Sequence, residues 1–334
     1  MSNLIAIKLG SSNTSIYKQG EGLVLFEPSY VAYEEHSGHK TVVAVGNNAQ
    51  KMQGRTDERI EVTSPIIEGR VKDLELATIM LKSFIVKIIP SSFIKPKIKA
   101  VICLPLGLNL KERKAIEQVC NMSGIQDVIM VPAVLCGAIG YNLPVESVQG
   151  LCVVDIGGGS TDIVISSSNS IINGVNVGIG GKTLDQAVEH AIEVEYNLRV
   201  GEGTAKRIKE EIGSLYPRDA SNAEVSGIDV STSEPKTIVV DAGTIHRAVV
   251  VFYEKIAEAI IATINSSPAN IIEDIQNQGI YIMGGASLIT GAEQFFRKRL
   301  NLPVSIQDYT TAVDTIGAGK LLSDARLLKI FSRL

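Results

Sequence analysis

Positive charge is not in excess in this chain: 32 Lys and Arg face 36 Asp and Glu, for a formal net charge of −4 and a pI near 5.7. A nucleic-acid binder needs a basic face to displace the counterions of the phosphate backbone, so nucleic acid is excluded as the main partner. Long apolar runs are also missing. No stretch reaches the roughly 18–20 uninterrupted apolar residues of a membrane span. Met1-Ser2-Asn3 leads straight into an apolar segment without signal-peptide architecture, which predicts a cytosolic protein. No basic amphipathic N-terminal helix is present to act as an anchor. Cysteine and histidine are scarce, four of each. Cys103, Cys120, Cys136 and Cys152 lie in apolar runs, too far apart for a metal knuckle, and read as reduced core residues. His36 and His39 flank Ser37-Gly38 in a polar turn, where a metal pair and a solvated hairpin tip are both open and the polar setting favours the tip.

What is abundant is apolar residue, 45% against 20% charged, in 334 residues. That suffices for two domains, or for one large α/β unit split by a cleft. The most informative stretch is VDIGGGSTD. An apolar run through Leu151, Val153 and Val154 delivers Asp155 to a turn of Gly157, Gly158 and Gly159, after which Ser160 and Thr161 open a second apolar run. Glycines allow close backbone approach, so that successive N–H groups converge on phosphate oxygens, and an aspartate beside them can hold magnesium through water. Such turns also close ordinary hairpins, so one alone is weak. The design recurs in LIAIKLGSSNTSIY, where a strand to Leu9 turns at Gly10, Ser11, Ser12 and Asn13, and again in GIYIMGGASLI, where a strand ending at Met283 turns through Gly284, Gly285, Ala286 and Ser287. The series in this order points to a nucleotide.

Periodicity predicts strands near 4–9, 14–18 and 23–26, and a polar insert over 33–70 with a short helix at 47–52. A helix over 73–89, a strand over 99–104 and a helix over 111–122 follow, then a hinge near 142–150. The second half is expected to hold helices over 183–195, 203–215, 245–264 and 269–277, with 219–236 either a surface hairpin or partly disordered. Both halves open with strand, turn, strand, which suggests a pseudo-repeat of two α/β units facing a cleft.

On these motifs the chain resembles the MreB family of bacterial actin-like proteins. LGSSNT is similar to the family's first phosphate loop (DLGTANT), VVDIGGGSTDIVI to its second, and GIYIMGGASLI to its adenosine turn; VEYNLRVGEGTAKRIKEEIGSLYP, EPSYVA, VAVGNNAQKMQGRT and LPLGLNLKERKAIEQV match further family stretches. The resemblance implies an α/β, actin-like (ribonuclease H-like, duplicated) two-domain fold. Domain I would comprise 1–142 plus 315–334, with a small subdomain about 33–72, and domain II 146–314, with a small subdomain about 182–244. ATP with magnesium would lie in the cleft, with Lys206, Arg207, Lys209 and Glu210 contacting ribose and base; the residues alone read equally as a solvated charged face.

Two positions break the pattern. The family's first loop begins with Asp, where this chain has Lys8, a charge reversal that can pair with phosphate oxygen directly while competing with the metal. The family's EEPMAAAIG reads MVPAVLCGAIG here, so Val131 replaces the glutamate expected to orient the attacking water. Phosphoryl transfer depends on positioning and charge stabilisation, so both changes predict weak ATP hydrolysis, with Asp155 and Thr161 the remaining catalytic candidates. Glu112 and Asp162 are the alternative carboxylates, though neither stands at the matching place.

The text IIPSSFIKPKIK sets Phe93 and Ile94 among Lys87, Lys95, Lys97 and Lys99. Apolar tips with a lysine collar suit an anionic membrane, a contact multiplied by avidity in a filament; packing of both side chains under the sheet is the equal alternative. The resemblance implies a cytoplasmic filament protein, peripheral at the inner membrane face, that scaffolds cell shape or motility. Its partners would be copies of itself in an open head-to-tail polymer of pairing protofilaments, and paralogous filament proteins. The rival readings are a competent ATPase with hydrolysis-driven filament turnover and a non-polymerising nucleotide-binding regulator. A sugar kinase is set aside for want of an acidic sugar-binding base.

Overall fold

A computed structural model describes residues 3–56, 59–89, 97–307 and 311–333; Phe93 and Ile94, the expected membrane tips, lie outside them. The apolar runs form two mixed sheets of the same design. The first has five strands in the order Asp127–Pro132, Ile98–Leu104, Asn3–Leu9, Asn13–Lys18, Gly22–Pro28. The second has five in the order Val304–Ile306, Ile280–Met283, Leu151–Ile156, Thr161–Ser167, Ser170–Val177. In each, an antiparallel meander of three strands continues through its first member into two parallel neighbours.

The repetition extends to single residues. Gly10 N–H donates to Asn13 C=O at 3.1 Å and Gly157 N–H to Ser160 C=O at 2.9 Å, closing turns of equal length. Lys8 pairs across its hairpin with Ser15, and Asp155 across its own with Asp162. Lys8 and Asp155 therefore hold the same place in the two halves.

Between the sheets lies an apolar layer to which both contribute, Ala6, Val101, Cys103 and Val131 from the first, Val153, Val164 and Met283 from the second. Two helices, Ala133–Gly140 and Val313–Leu321, fill it. They cross so closely that a Cβ on Gly317 would stand 1.7 Å from the Cys136 carbonyl oxygen, a position open only to glycine. Neither helix is legible as an amphipathic pattern, because six of the eight residues in AVLCGAIG are buried and no polar face exists. The outer faces of the sheets are covered by Leu74–Ile88 and Leu110–Met122 on the first, and by Gly181–Tyr196 and Ala242–Asn265 on the second.

Local chemistry sets the helix starts. Asp73 accepts from Leu76 N–H at 2.9 Å, and Asn109 forms a capping box with Glu112. The 33–70 insert folds as a three-stranded sheet, His39–Val45, Val31–His36, Ile60–Thr63, beside the helix Asn47–Met52. Of the two alternatives for 219–236, the hairpin is what forms: Asn222–Asp229 pairs with Pro235–Asp241.

Asp241 caps the helix Ala242–Asn265, accepting from Thr244 N–H at 2.9 Å and from the Tyr196 hydroxyl at 2.6 Å. The tyrosine bond first, and then the Thr244 donors, hold its pKa down at about 2. Asp241→Ala is expected to lower the unfolding free energy at neutral pH by about 1 kcal/mol, the usual worth of an N-cap. A depressed carboxylate stabilises above its unfolded value of 3.8 and ceases to as pH falls through its folded value of about 2. The gap between variant and wild type in urea unfolding should therefore close across that window.

Candidate functional site

The first two glycine turns meet face to face. A Cβ on Gly158 would lie 2.2 Å from the Ser12 hydroxyl, so this residue must be glycine for the turns to touch. The carbonyls of Gly157 and Gly158 accept from Gly181 and Lys182 N–H at 2.9 and 2.8 Å. Every peptide bond described is trans, which directs the N–H groups of Gly158 and Gly159 the opposite way. In the first turn the Ser11 carbonyl is taken by the Ser64 hydroxyl at 3.0 Å, which turns the Ser12 N–H away from it. Among the described residues these N–H groups have no acceptor, a nest of donors of the kind that holds phosphate.

The turns open on a cavity of about 490 Å³. Gly10, Ser11, Ser12 and Asn13 line it from one side, Gly157 and Gly158 from the other, and Gly284, Gly285 and Ala286 close a third. The third turn is buttressed by Tyr253, fully buried, whose hydroxyl donates to the Ala286 carbonyl at 2.6 Å. Lys206, Lys209 and Glu210 reach the cavity from the helix Glu202–Ile212, with Asp185 holding Lys209 at 2.6 Å. Three expected contacts do not line it. Arg207 points to the other side of its helix, to Glu211 at 2.6 Å and the Glu224 carbonyl at 3.0 Å. Gly159 sits under the Ser11 hydroxyl and the Glu68 backbone, and Ser287 is buried with its hydroxyl turned back to the Gly284 carbonyl.

Lys8 also lines the cavity, and its ammonium is bound twice, to Asp155 Oδ2 at 3.0 Å and to Asp314. Burial alone would lower its pKa, but the charges of Asp155 and then Asp314 outweigh that and raise it well above the ordinary lysine value, so Lys8 is a fixed cation. Asp314 went unseen in the sequence: it sits among small apolar residues in TTAVDTIGAG with no motif around it. Its Oδ1 accepts from Thr315 N–H at 2.6 Å, and the Thr315 hydroxyl bonds Ser15 at 2.6 Å.

The magnesium site expected at Asp155 does not fit these residues. Asp155 and the neighbouring Asp314 already share the Lys8 ammonium, which occupies the place beside the carboxylate that a hydrated cation would need.

Val131 lies in one row of the first sheet with Cys103 and Lys8, buried in the layer between the sheets. Neither alternative carboxylate takes its place. Glu112 is engaged by Arg70 at 2.8 Å and by its own helix cap. Asp162 accepts from Asn176 at 2.6 Å and from Leu106 N–H at 3.3 Å. The Thr161 hydroxyl, a candidate to hold water, donates to the Ile179 carbonyl at 2.7 Å.

Glu202 bridges the two halves, accepting from the Tyr30 hydroxyl at 2.9 Å and from Gln53 at 2.8 Å. Lys182 stands 5.3 Å above the Tyr30 ring. The pattern gave no hint of this latch, since its members are far apart in sequence.

A family model described as MreB/Mbl protein matches residues 2–330. The chain belongs to the MreB/Mbl family. Cell shape-determining protein Mbl of Bacillus subtilis (strain 168) is 34% identical over 323 residues, 96% of each chain. Cell shape-determining protein MreB of Escherichia coli (strain K12) is 33% identical over 324 residues, 96% of this chain and 93% of that one. Among solved structures, MreB5 of Spiroplasma citri bound to ADP superposes with a TM-score of 0.91 at 27% identity, over 99% of this chain and 98% of that one. The MamK double helical filament superposes at 0.80 with 19% identity, over 97% and 99%, a likeness of fold alone. The fold of this MreB/Mbl chain is thus actin-like, and its cavity lies between the duplicated halves.

Burial first, and the nearby Asp155 charge, raise the Asp162 pKa from 3.8 to about 6 against the pull of Asn176. A carboxylate raised on folding contributes stability that is full below 3.8 and is lost as pH rises through about 6. Asp162→Asn, which keeps the shape without the charge, is expected to gain melting temperature relative to wild type as pH rises from about 4 to 6.5. Glu202→Ala should raise amide exchange roughly tenfold in the helices Asn47–Met52 and Glu202–Ile212, since two hydrogen bonds to a charged group are lost.

Proposed function

We propose that this MreB/Mbl chain is an actin-like cytoskeletal subunit that binds ATP in its cleft, polymerises, and turns the nucleotide over slowly. The observation that carries this reading is the pair of equal turns with unpaired N–H groups facing one cavity, beside a buried valine where the family places a water-orienting glutamate. Nucleotide binding is further supported by the relative MreB5, whose structures hold ADP and AMPPNP, and polymerisation by membership of the MreB/Mbl family. The two domains would meet near 142–146 and 314, with the cleft between them.

Slow turnover follows from what surrounds Val131. A γ-phosphate held by the turns has no described carboxylate on its far side to orient water, and the Thr161 hydroxyl hydrogen already points to Ile179. Such a subunit keeps its nucleotide and hence its polymer contacts, which suits a scaffold for cell shape or motility better than a rapidly treadmilling fibre. Its place is the cytoplasm, peripheral to the membrane; among the described residues no helix is long and apolar enough to cross a membrane.

Pelleting and electron microscopy with ATP, alongside phosphate release, test this reading. Filaments with little phosphate release are expected. A Val131→Glu, Lys8→Asp, Asp314→Asn variant, which restores the glutamate and keeps the buried charges from crowding, should release phosphate on the order of a hundredfold faster. Brisk hydrolysis by the wild type would overturn the slow-turnover reading, and ATP-independent monomers would overturn the filament.

A further inference from the structure

An ammonium has three protons to donate. In Lys8 two are spent on Asp155 and Asp314, while the side chain keeps 24% of its surface and lines the cavity. The third donor is therefore free for the cavity that Ser12, Gly157 and Gly158 line from the two turns. Among the described residues, the other two lysines that line the cavity are placed differently. Lys209 is committed to Asp185 and to the Gly181 carbonyl at 3.2 Å, and Lys206 leans toward Glu210 at 3.9 Å.

Polyphosphates bind proteins with a divalent ion because two to four negative charges must be neutralised in a site poor in water. An aspartate at position 8 would face Asp155 and share the water shell of such an ion. In this chain the same position supplies a positive charge of its own, on a stem anchored by two carboxylates. A divalent ion arriving at Asp155 would meet an ammonium 3.0 Å from the same carboxylate and lose both attraction and room. Lysine neutralises phosphate well as a point charge, with no need for the octahedral geometry that magnesium demands.

We propose that Lys8 is the resident cation of this cleft and that nucleoside di- and triphosphates bind here without magnesium. The proposal rests on the nucleotide reading above. Asp314 has a positioning part in it: it holds the ammonium over the turns and keeps it charged.

The test is equilibrium binding of a fluorescent ATP analogue to the full chain, once in excess EDTA and once in excess magnesium. The wild type is expected to bind with dissociation constants within about fivefold of each other. Lys8→Asp with Asp314→Asn, which restores an acidic pair at balanced charge, should bind at least about tenfold more weakly in EDTA than in magnesium. Lys8→Met with Asp314→Asn should lose about tenfold or more in both solutions. Wild-type binding that weakens more than about fivefold in EDTA overturns the proposal and leaves the nucleotide reading intact. No binding in either solution overturns both. Unchanged affinity in the Lys8→Met pair, its fold checked by circular dichroism, also overturns the role of Lys8. The wild-type comparison decides the magnesium question even if a variant fails to fold.

Discussion

A lysine ammonium held between two buried carboxylates joins three segments beneath the cleft: the strands Asn3–Leu9 and Leu151–Ile156, and the helix Val313–Leu321. Buried ion pairs add little net stability over an apolar packing of the same shape, but removing one member leaves an uncompensated charge and costs about 3–5 kcal/mol. The triad is therefore better understood as a device of placement than of strength. It ties together the strands that carry the first two glycine turns.

That arrangement sits on a duplicated scaffold. Each half presents a turn of the same length from the same position in the same sheet, so the two turns meet as near-mirror partners with Lys8 opposite Asp155. The duplication supplies geometry, and chemistry comes from the places where the halves differ. Glycine in the second turn lets Ser12 of the first come into contact with it. A cation in one half and an anion in the other form a buried ion pair, while Val131 of the strand Asp127–Pro132 is buried in the apolar layer between the sheets.

The parts of this that were legible in the sequence are those in which the backbone itself demands a residue type. The three turns were visible because close approach demands Gly158, and because a left-handed φ of 91° demands Gly284. Helices with one wet face, such as Leu74–Ile88 and Ala242–Asn265, showed through their periodicity to within a few residues. The helices between the sheets did not, since burial on every side erases the period. Asp314 and the Glu202 latch were hidden for another reason: a partner chosen by tertiary folding leaves no mark beside the residue that needs it. Arg207 shows the converse, because successive residues of a helix lie about 100° apart, so Lys206 and Arg207 face different ways and a charge cluster does not say which faces inward.

The triad also constrains how this cleft can change by descent. Returning position 8 to aspartate in a single step would set three carboxylates around one buried point, and losing Asp155 or Asp314 first would loosen the lysine's grip on the turns. Each residue is tolerable only while the others remain, so reversal requires paired changes or passage through a neutral residue at 314.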